Sequence, residues 1–249
     1  MKILRGIFFL LFIVVVIAIV ILGYLGFIPI LSDLMGSTKP RDLGIKYTQA
    51  DYDSAGVKNK VKIIVVDSAP DIQSSIICFG SQAIEASFTQ EELTARINMN
   101  SQNWKYFPVK NVQVKINQDG TAESSGLLMI DNLEGFAQAI GFGDIDIQKV
   151  LSKLKFVRKE IPFYVNFTPT VSEGQANIIV KKAEIGRLAM PQDFSEQYKQ
   201  EINYYISRII SSSAFPGLYV TSMNLDGGQM NFKGRLPENI TTAKEIVEL

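Results

Sequence analysis

Pro108-Val-Lys-Asn-Val-Gln-Val-Lys-Ile-Asn-Gln-Asp-Gly120 sets Val112, Val114 and Ile116 at alternate positions and then meets a turn sequence, so it reads as a strand entering a hairpin. Ala122 to Ile130 is the returning strand. Just upstream, Thr89-Gln-Glu-Glu92 is a capping box, with Phe88 and Leu93 placed as its hydrophobic staple, which predicts a short helix to about Asn98. Further back, Val61-Lys-Ile-Ile-Val-Val66 and a run from about Ser75 to Phe88 read as two strands around a turn at Ala69-Pro70. The order is strand, strand, helix, strand, strand.

That order recurs from Pro162. Phe163-Tyr-Val-Asn-Phe-Thr168 is a strand, Val171-Ser-Glu-Gly174 a turn, and Ala176 to Ile185 its partner. Pro191 stands at a favoured first helical position. Phe194, Tyr198, Ile202, Tyr205, Ile206 and Ile209 then recur in steps of three and four, predicting one long helix over 191–210. Leu218 to Leu225, the turn Asp226-Gly-Gly228, and Gln229 to Arg235 form a closing hairpin. Ile97-Asn98 on the first helix parallels Ile202-Asn203 on the second. From Asn98 to Asp119 is 21 residues, and from Asn203 to Asp226 is 23. Such self-similarity points to duplication, although helix-then-hairpin also recurs by chance in α+β proteins. Between the rounds, Asp131-Asn-Leu-Glu134 reads as a second capping box opening a helix. Gly141-Phe-Gly-Asp144 breaks it, and Ile147, Val150, Leu151 and Leu154 mark another.

At the N-terminal end, Gly6 to Ser32 carries no charge and Ile7 to Leu22 is apolar throughout. About 20 such residues cross a bilayer as a helix. A cleaved secretory signal has a shorter apolar run, about 7 to 15 residues, and a small-x-small site. No Ala-x-Ala follows here, so a retained anchor is expected. Lys2 and Arg5 form a short basic flank, which sets the N-terminus in the cytoplasm and the rest on the extracytoplasmic side of a plasma membrane. The expected α+β organisation is then a cytoplasmic N-terminus (1–5), a single transmembrane helix (6–32), a polar stalk (33–60), a first ββαββ unit (61–130), an inserted helical hairpin (131–157), a second ββαββ unit (158–240) and a C-terminal tail (241–249).

Lys plus Arg equals Asp plus Glu at 25 each, so no overall field attracts nucleic acid. The one cysteine, Cys78, allows no intramolecular disulfide and sits in an apolar run that reads as a buried strand. With no histidine in the chain, Ser-His-Asp, Cys-His and imidazole-metal arrangements are excluded. Walker A, dinucleotide and Gly-x-Ser-x-Gly patterns are absent too. Asp144 and Asp146 read first as helix caps and only second as a Ca²⁺ pair. The expectation is a non-enzyme without a cofactor.

Asn177-Ile-Ile-Val-Lys-Lys-Ala-Glu-Ile-Gly-Arg-Leu-Ala-Met-Pro-Gln-Asp-Phe194 resembles the corresponding stretch of YpmS-like membrane-anchored extracytoplasmic proteins. Strand, then Ile185-Gly-Arg-Leu-Ala-Met-Pro191, then helix is also similar to the LmeA-like lipid-binding proteins, and Asp226 to Pro237 resembles how those chains close. Both families look like the tubular lipid-binding superfamily. The resemblance covers about 160–240 and implies a strongly curved antiparallel sheet wrapped on a long helix, with room for an acyl chain between them. It implies no catalytic residues.

On that footing the lipid-groove candidates are Phe163, Val165, Phe167, Phe194, Tyr198, Ile202, Tyr205, Ile206, Ile209, Val220 and Phe232. The same residues taken singly read as ordinary core between helix and sheet. Phe142, between two glycines, is a candidate membrane or partner contact, or else folds back into the local core. Lys58, Lys60 and Lys62 would share a strand face near the stalk and meet anionic headgroups, or simply water. Expected partners are the membrane, a lipid ligand and, on the alternative reading, an envelope protein held by a scaffold domain with no ligand.

Overall fold

The computed structural model describes residues 2–24, 28–142, 159–211 and 215–247, with side chains for all of these except 2–12, 29, 192, 194 and 195. The apolar run near the N-terminus lies in α1 (Lys2–Tyr24) and is followed by the short α2 (Pro29–Leu34). The two are tied where the Ser32 hydroxyl donates to the Gly23 carbonyl at 2.7 Å.

The segment expected as a stalk is built into the domain instead. Residues 37–48 form an extended strap along the sheet. The Arg41 guanidinium pairs with the buried Glu184 carboxylate at 2.6 Å and lies over the Tyr164 ring, and the Leu43 N–H donates to the Gln113 side chain. Then α3 (Gln49–Asn59) starts at a capping box of Thr48 and Asp51 and buries Ala55 completely. It ends at Lys60, whose φ of 55° is left-handed. Lys58 is therefore helical, donating to Glu92 at 2.7 Å, and the three lysines share no strand face.

The first unit comprises β1 (Lys62–Ala69), β2 (Ile76–Phe79), β3 (Gln82–Thr89), α4 (Gln90–Ser101), β4 (Val109–Ile116) and β5 (Ala122–Met129). The Thr89–Glu92 capping box forms as expected. The single strand expected over 75–88 is two, split at Gly80 (φ 75°), where a Cβ would also strike the Glu238 side chain. In α5 (Leu133–Ala139) the expected Asp131 box does not form. Residues 130–132 make a 3₁₀ turn instead, so Asn132 occupies the N-cap and its side chain makes no capping bond. The second insert helix, with Asp144 and Asp146, lies outside the described residues.

The second unit comprises β6 (Glu160–Ser172), β7 (Gln175–Ile185), β8 (Leu188–Ala189), α6 (Gln192–Gln197), α7 (Lys199–Ile210), β9 (Tyr219–Asp226), β10 (Gln229–Leu236) and β11 (Asn239–Ile246). The long helix expected over 191–210 is two, broken at Tyr198. Glu173 and Gly174, then Gly227 and Gly228, take the paired positive φ angles that two-residue hairpins need to match strand twist.

The protein is α+β with a strongly curled antiparallel sheet of half-barrel form. Its order is β3-β10-β9-β6-β5-β4, and β7 and β8 continue from the other side of β6. The 13-residue β6 is the spine: β5 pairs along residues 160–167 and β9 takes over at Val171 and Ser172. A second sheet, β1-β11-β2, lies beside it. The expected C-terminal tail is thus mostly β11, the central strand of that sheet, parallel to β1 and antiparallel to β2.

Two outer edges of the curled sheet are closed by helices. On α4, Gln90, Thr94 and Asn98 accept from the N–H groups of Ile116, Val114 and Val112 at 3.1, 3.0 and 2.9 Å. Four helical residues rise about 6 Å and two strand residues about 6.8 Å, so a polar stripe at every fourth position can follow an edge strand. On α7, Asn203 and Ser207 accept from Ile178 and Ala176 of β7, both at 2.8 Å. Opposite Ile178 stands Pro169, with no N–H to exchange, and the Ile178 N–H faces outward. The order of elements recurs but the packing does not, because α4 closes the strand after it and α7 the strand before it.

Candidate functional site

Beneath α4 a pocket of about 420 Å³ opens between the curled sheet and the inner face of β1-β11-β2. Ile97 and Trp104 come from α4 and the loop after it, Phe107 from the approach to β4, Val112 from β4 itself, and Phe163 from β6. Ile63, Ile76 and Ile240 form its floor on the small sheet. The register explains the floor: Ile63 pairs with Ile240 and Ile240 with Cys78, so alternate residues of all three strands share one face. Gly126 of β5 permits the close approach of two lining side chains, since a Cβ there would lie 2.9 Å from Val112 and 3.0 Å from Phe163.

One wall is fixed by hydrogen bonds. The Trp104 Nε1–H donates to the Ser75 hydroxyl at 3.0 Å, and Trp104 is 6 % exposed. Its ring packs against Phe107 and Phe136. The polar exceptions in the lining are few. Asn100 accepts from the Tyr52 hydroxyl and Asn103 donates to the Met99 carbonyl. Thr242 is 93 % buried with no hydrogen-bond partner for its hydroxyl, and Ser124 also faces the pocket. An apolar pocket of about 300–1,000 Å³ with a small number of polar groups is the usual form of a small-molecule site. Burial pushes the Cys78 thiol on β2 up to about 11, so it is no nucleophile at neutral pH.

The residues expected to line a groove are dispersed. Phe163 lines this pocket, with Val165 and Phe167 on the same face of β6. Tyr205 and Ile209 on α7 pack instead against the cluster of Trp104, Ala137, Ile140 and Phe142. Phe142 is 4 % exposed, edge-on to Tyr205 and under the Arg208 guanidinium, so it folds back into the local core. Ile202 and Ile206 are half-buried, Tyr198 is exposed, Val220 is buried and Phe232 half-buried, and none of these lines the pocket. Phe194 lies where side chains are not described. Beside α7 the opening toward β7 is polar, a cleft of about 720 Å³. The run Trp104-Lys-Tyr-Phe-Pro108 supplies three of the residues that line the pocket, Trp104, Phe107 and Pro108, and was not singled out from the sequence.

A second apolar surface lies on the opposite face of the small sheet, where Ile64, Val66, Ile77 and Phe79 are exposed, Phe79 by 74 %. No family model, curated protein or solved structure matches the chain.

Proposed function

We propose that this chain is a non-enzymatic, membrane-tethered domain of the cell envelope that holds the acyl part of a lipid in the pocket beneath α4. The supporting observation is the pocket itself: about 420 Å³, walled by isoleucine, valine, phenylalanine and tryptophan, with an unpartnered Thr242 hydroxyl. Transfer of an acyl chain from water is driven by about 25 cal/mol per Å² of apolar surface, and no bond is made or broken. The resemblance of residues 160–240 to tubular lipid-binding proteins favours a lipid as the occupant, while the place beneath α4 rests on the pocket alone.

The tether is α1, 23 residues long and so about 34 Å at 1.5 Å per residue. Among the described residues no helix is long and apolar enough to cross a membrane, and the side chains of residues 2–12 of α1 are not among them. The anchor reading rests on the uncharged run 6–32. With the strap clamped to the sheet, the domain sits directly at the end of the anchor, on the extracytoplasmic side.

Lipid extraction of the purified full-length chain followed by mass spectrometry tests the reading. A co-purifying acyl lipid is expected, and Ser124→Phe, which fills the pocket from β5, is expected to lose it. A lipid-free protein that takes up no fatty acid contradicts it. The exposed face of Ile64, Val66, Ile77 and Phe79 favours a second reading, a scaffold that docks an envelope protein.

A further inference from the structure

The two helices that close sheet edges differ in what they leave over. Asn98 uses both ends of its amide: Oδ1 accepts from the Val112 N–H, and Nδ2 donates to the carbonyls of Val112 and Thr94. On α7, Asn203 and Ser207 give only their oxygens to the strand, to the N–H groups of Ile178 and Ala176. Only the oxygen of an amide accepts, so the bond to Ile178 fixes the Asn203 Nδ2 protons away from that N–H. Both residues line the cleft of about 720 Å³ beside β7. Its wall also carries Lys199, one turn before Asn203, and Arg208, which is held at the rim by the Gly141 carbonyl and the Phe142 ring. Among the described residues no carboxylate lines it.

We propose that this cleft binds the oxyanion of a phosphate monoester. Phosphate oxygens are pure acceptors, and the cleft presents the Asn203 amide NH₂, the Ser207 hydroxyl and the Lys199 ammonium, with the oxygens of the first two already engaged by β7. The exposed ring of Tyr204 at the rim gives the group that carries the phosphate a flat face to lie on. The site is independent of the apolar pocket and of its occupant. A free phosphate ester and a phospholipid headgroup present the same chemistry, and the test separates them.

The full-length chain in phosphatidylcholine nanodiscs is titrated with glycerol phosphate by calorimetry. In parallel, binding to phosphatidylcholine nanodiscs is compared with binding to nanodiscs doped with phosphatidic acid, and the Asn203 side-chain amide is followed by NMR. Saturable binding in either arm, with a shift of that amide, is expected, and the arm that responds names the source. Asn203→Asp keeps an oxygen for the Ile178 N–H while replacing the donors with negative charge, and Lys199→Gln removes an ammonium from an intermediate-exposure site. Each is expected to weaken binding by about tenfold or more with an unchanged melting curve. No saturable binding in either arm, or binding that survives both substitutions unaltered, overturns the proposal.

Discussion

Asn98 shows what one side chain does for this fold. It is 6 % exposed and satisfies both backbone groups of Val112 on an edge strand that has no further strand to pair with. Removing it leaves a buried N–H and a buried C=O unpaired, at about 1–3 kcal/mol each. Asn98→Ala is therefore expected to lower stability by about 2–6 kcal/mol, read as a reduced urea midpoint, while Asn203→Ala on the more open α7 costs less. Glu92 acts at the start of the same helix. Burial raises its pKa, but hydrogen bonds from Lys58, Ser54 and the Thr89 N–H outweigh that and hold the carboxyl below its usual value. A depressed folded pKa means a contribution that is complete above the unfolded value, about 4.3, and is lost as pH falls through the folded one. Stability should fall on acidification below about pH 4, and Glu92→Gln should flatten that fall; an unchanged acid limb in the variant removes Glu92 as its source. The Thr89–Glu92 box was legible because a cap is local. The partners of Asn98 were not, since an asparagine reads the same whether it meets water or a strand edge.

At the scale of elements, the strap and β11 are where reading the sequence stops short. Residues 37–48 have no periodicity, and their order comes from single contacts across the chain, such as Arg41 to Glu184, 143 residues apart. β11 was read as a tail, since its parallel partner β1 lies near the other end of the domain and no local pattern announces such a pairing. The break at Tyr198 was hidden by an apolar stripe that continues through it. Arg41→Ala tests the strap. It leaves the Glu184 carboxylate facing Lys182 alone and is expected to cost about 2 kcal/mol. Faster proteolysis within 37–48 is expected with it, and cleavage no faster than in the parent chain would show that the strap is held by other contacts.

For the whole molecule, the α+β class was legible from hairpin turns and strand alternation, whereas the curl of the antiparallel sheet was expected only from the resemblance of residues 160–240. The position of the pocket was not, because it depends on the small sheet closing against the curled one, and that sheet joins β1 and β2 to β11 from the far end of the chain. The aromatic stripe of α7 packs elsewhere than in this pocket: its inward residues Tyr205 and Ile209 meet α5 and Phe142, and its strand-facing residues Asn203 and Ser207 are polar. What gathers at the pocket instead is Trp104, the one tryptophan of the chain, and that supplies the most direct test. Fatty acids brominated along the acyl chain quench indole fluorescence only on contact. Titrated into the full-length protein, they are expected to quench Trp104 saturably, at one equivalent, and to do so poorly in Ser124→Phe. Quenching that stays linear in concentration, or is the same in the filled-pocket variant, would contradict an acyl chain beneath α4.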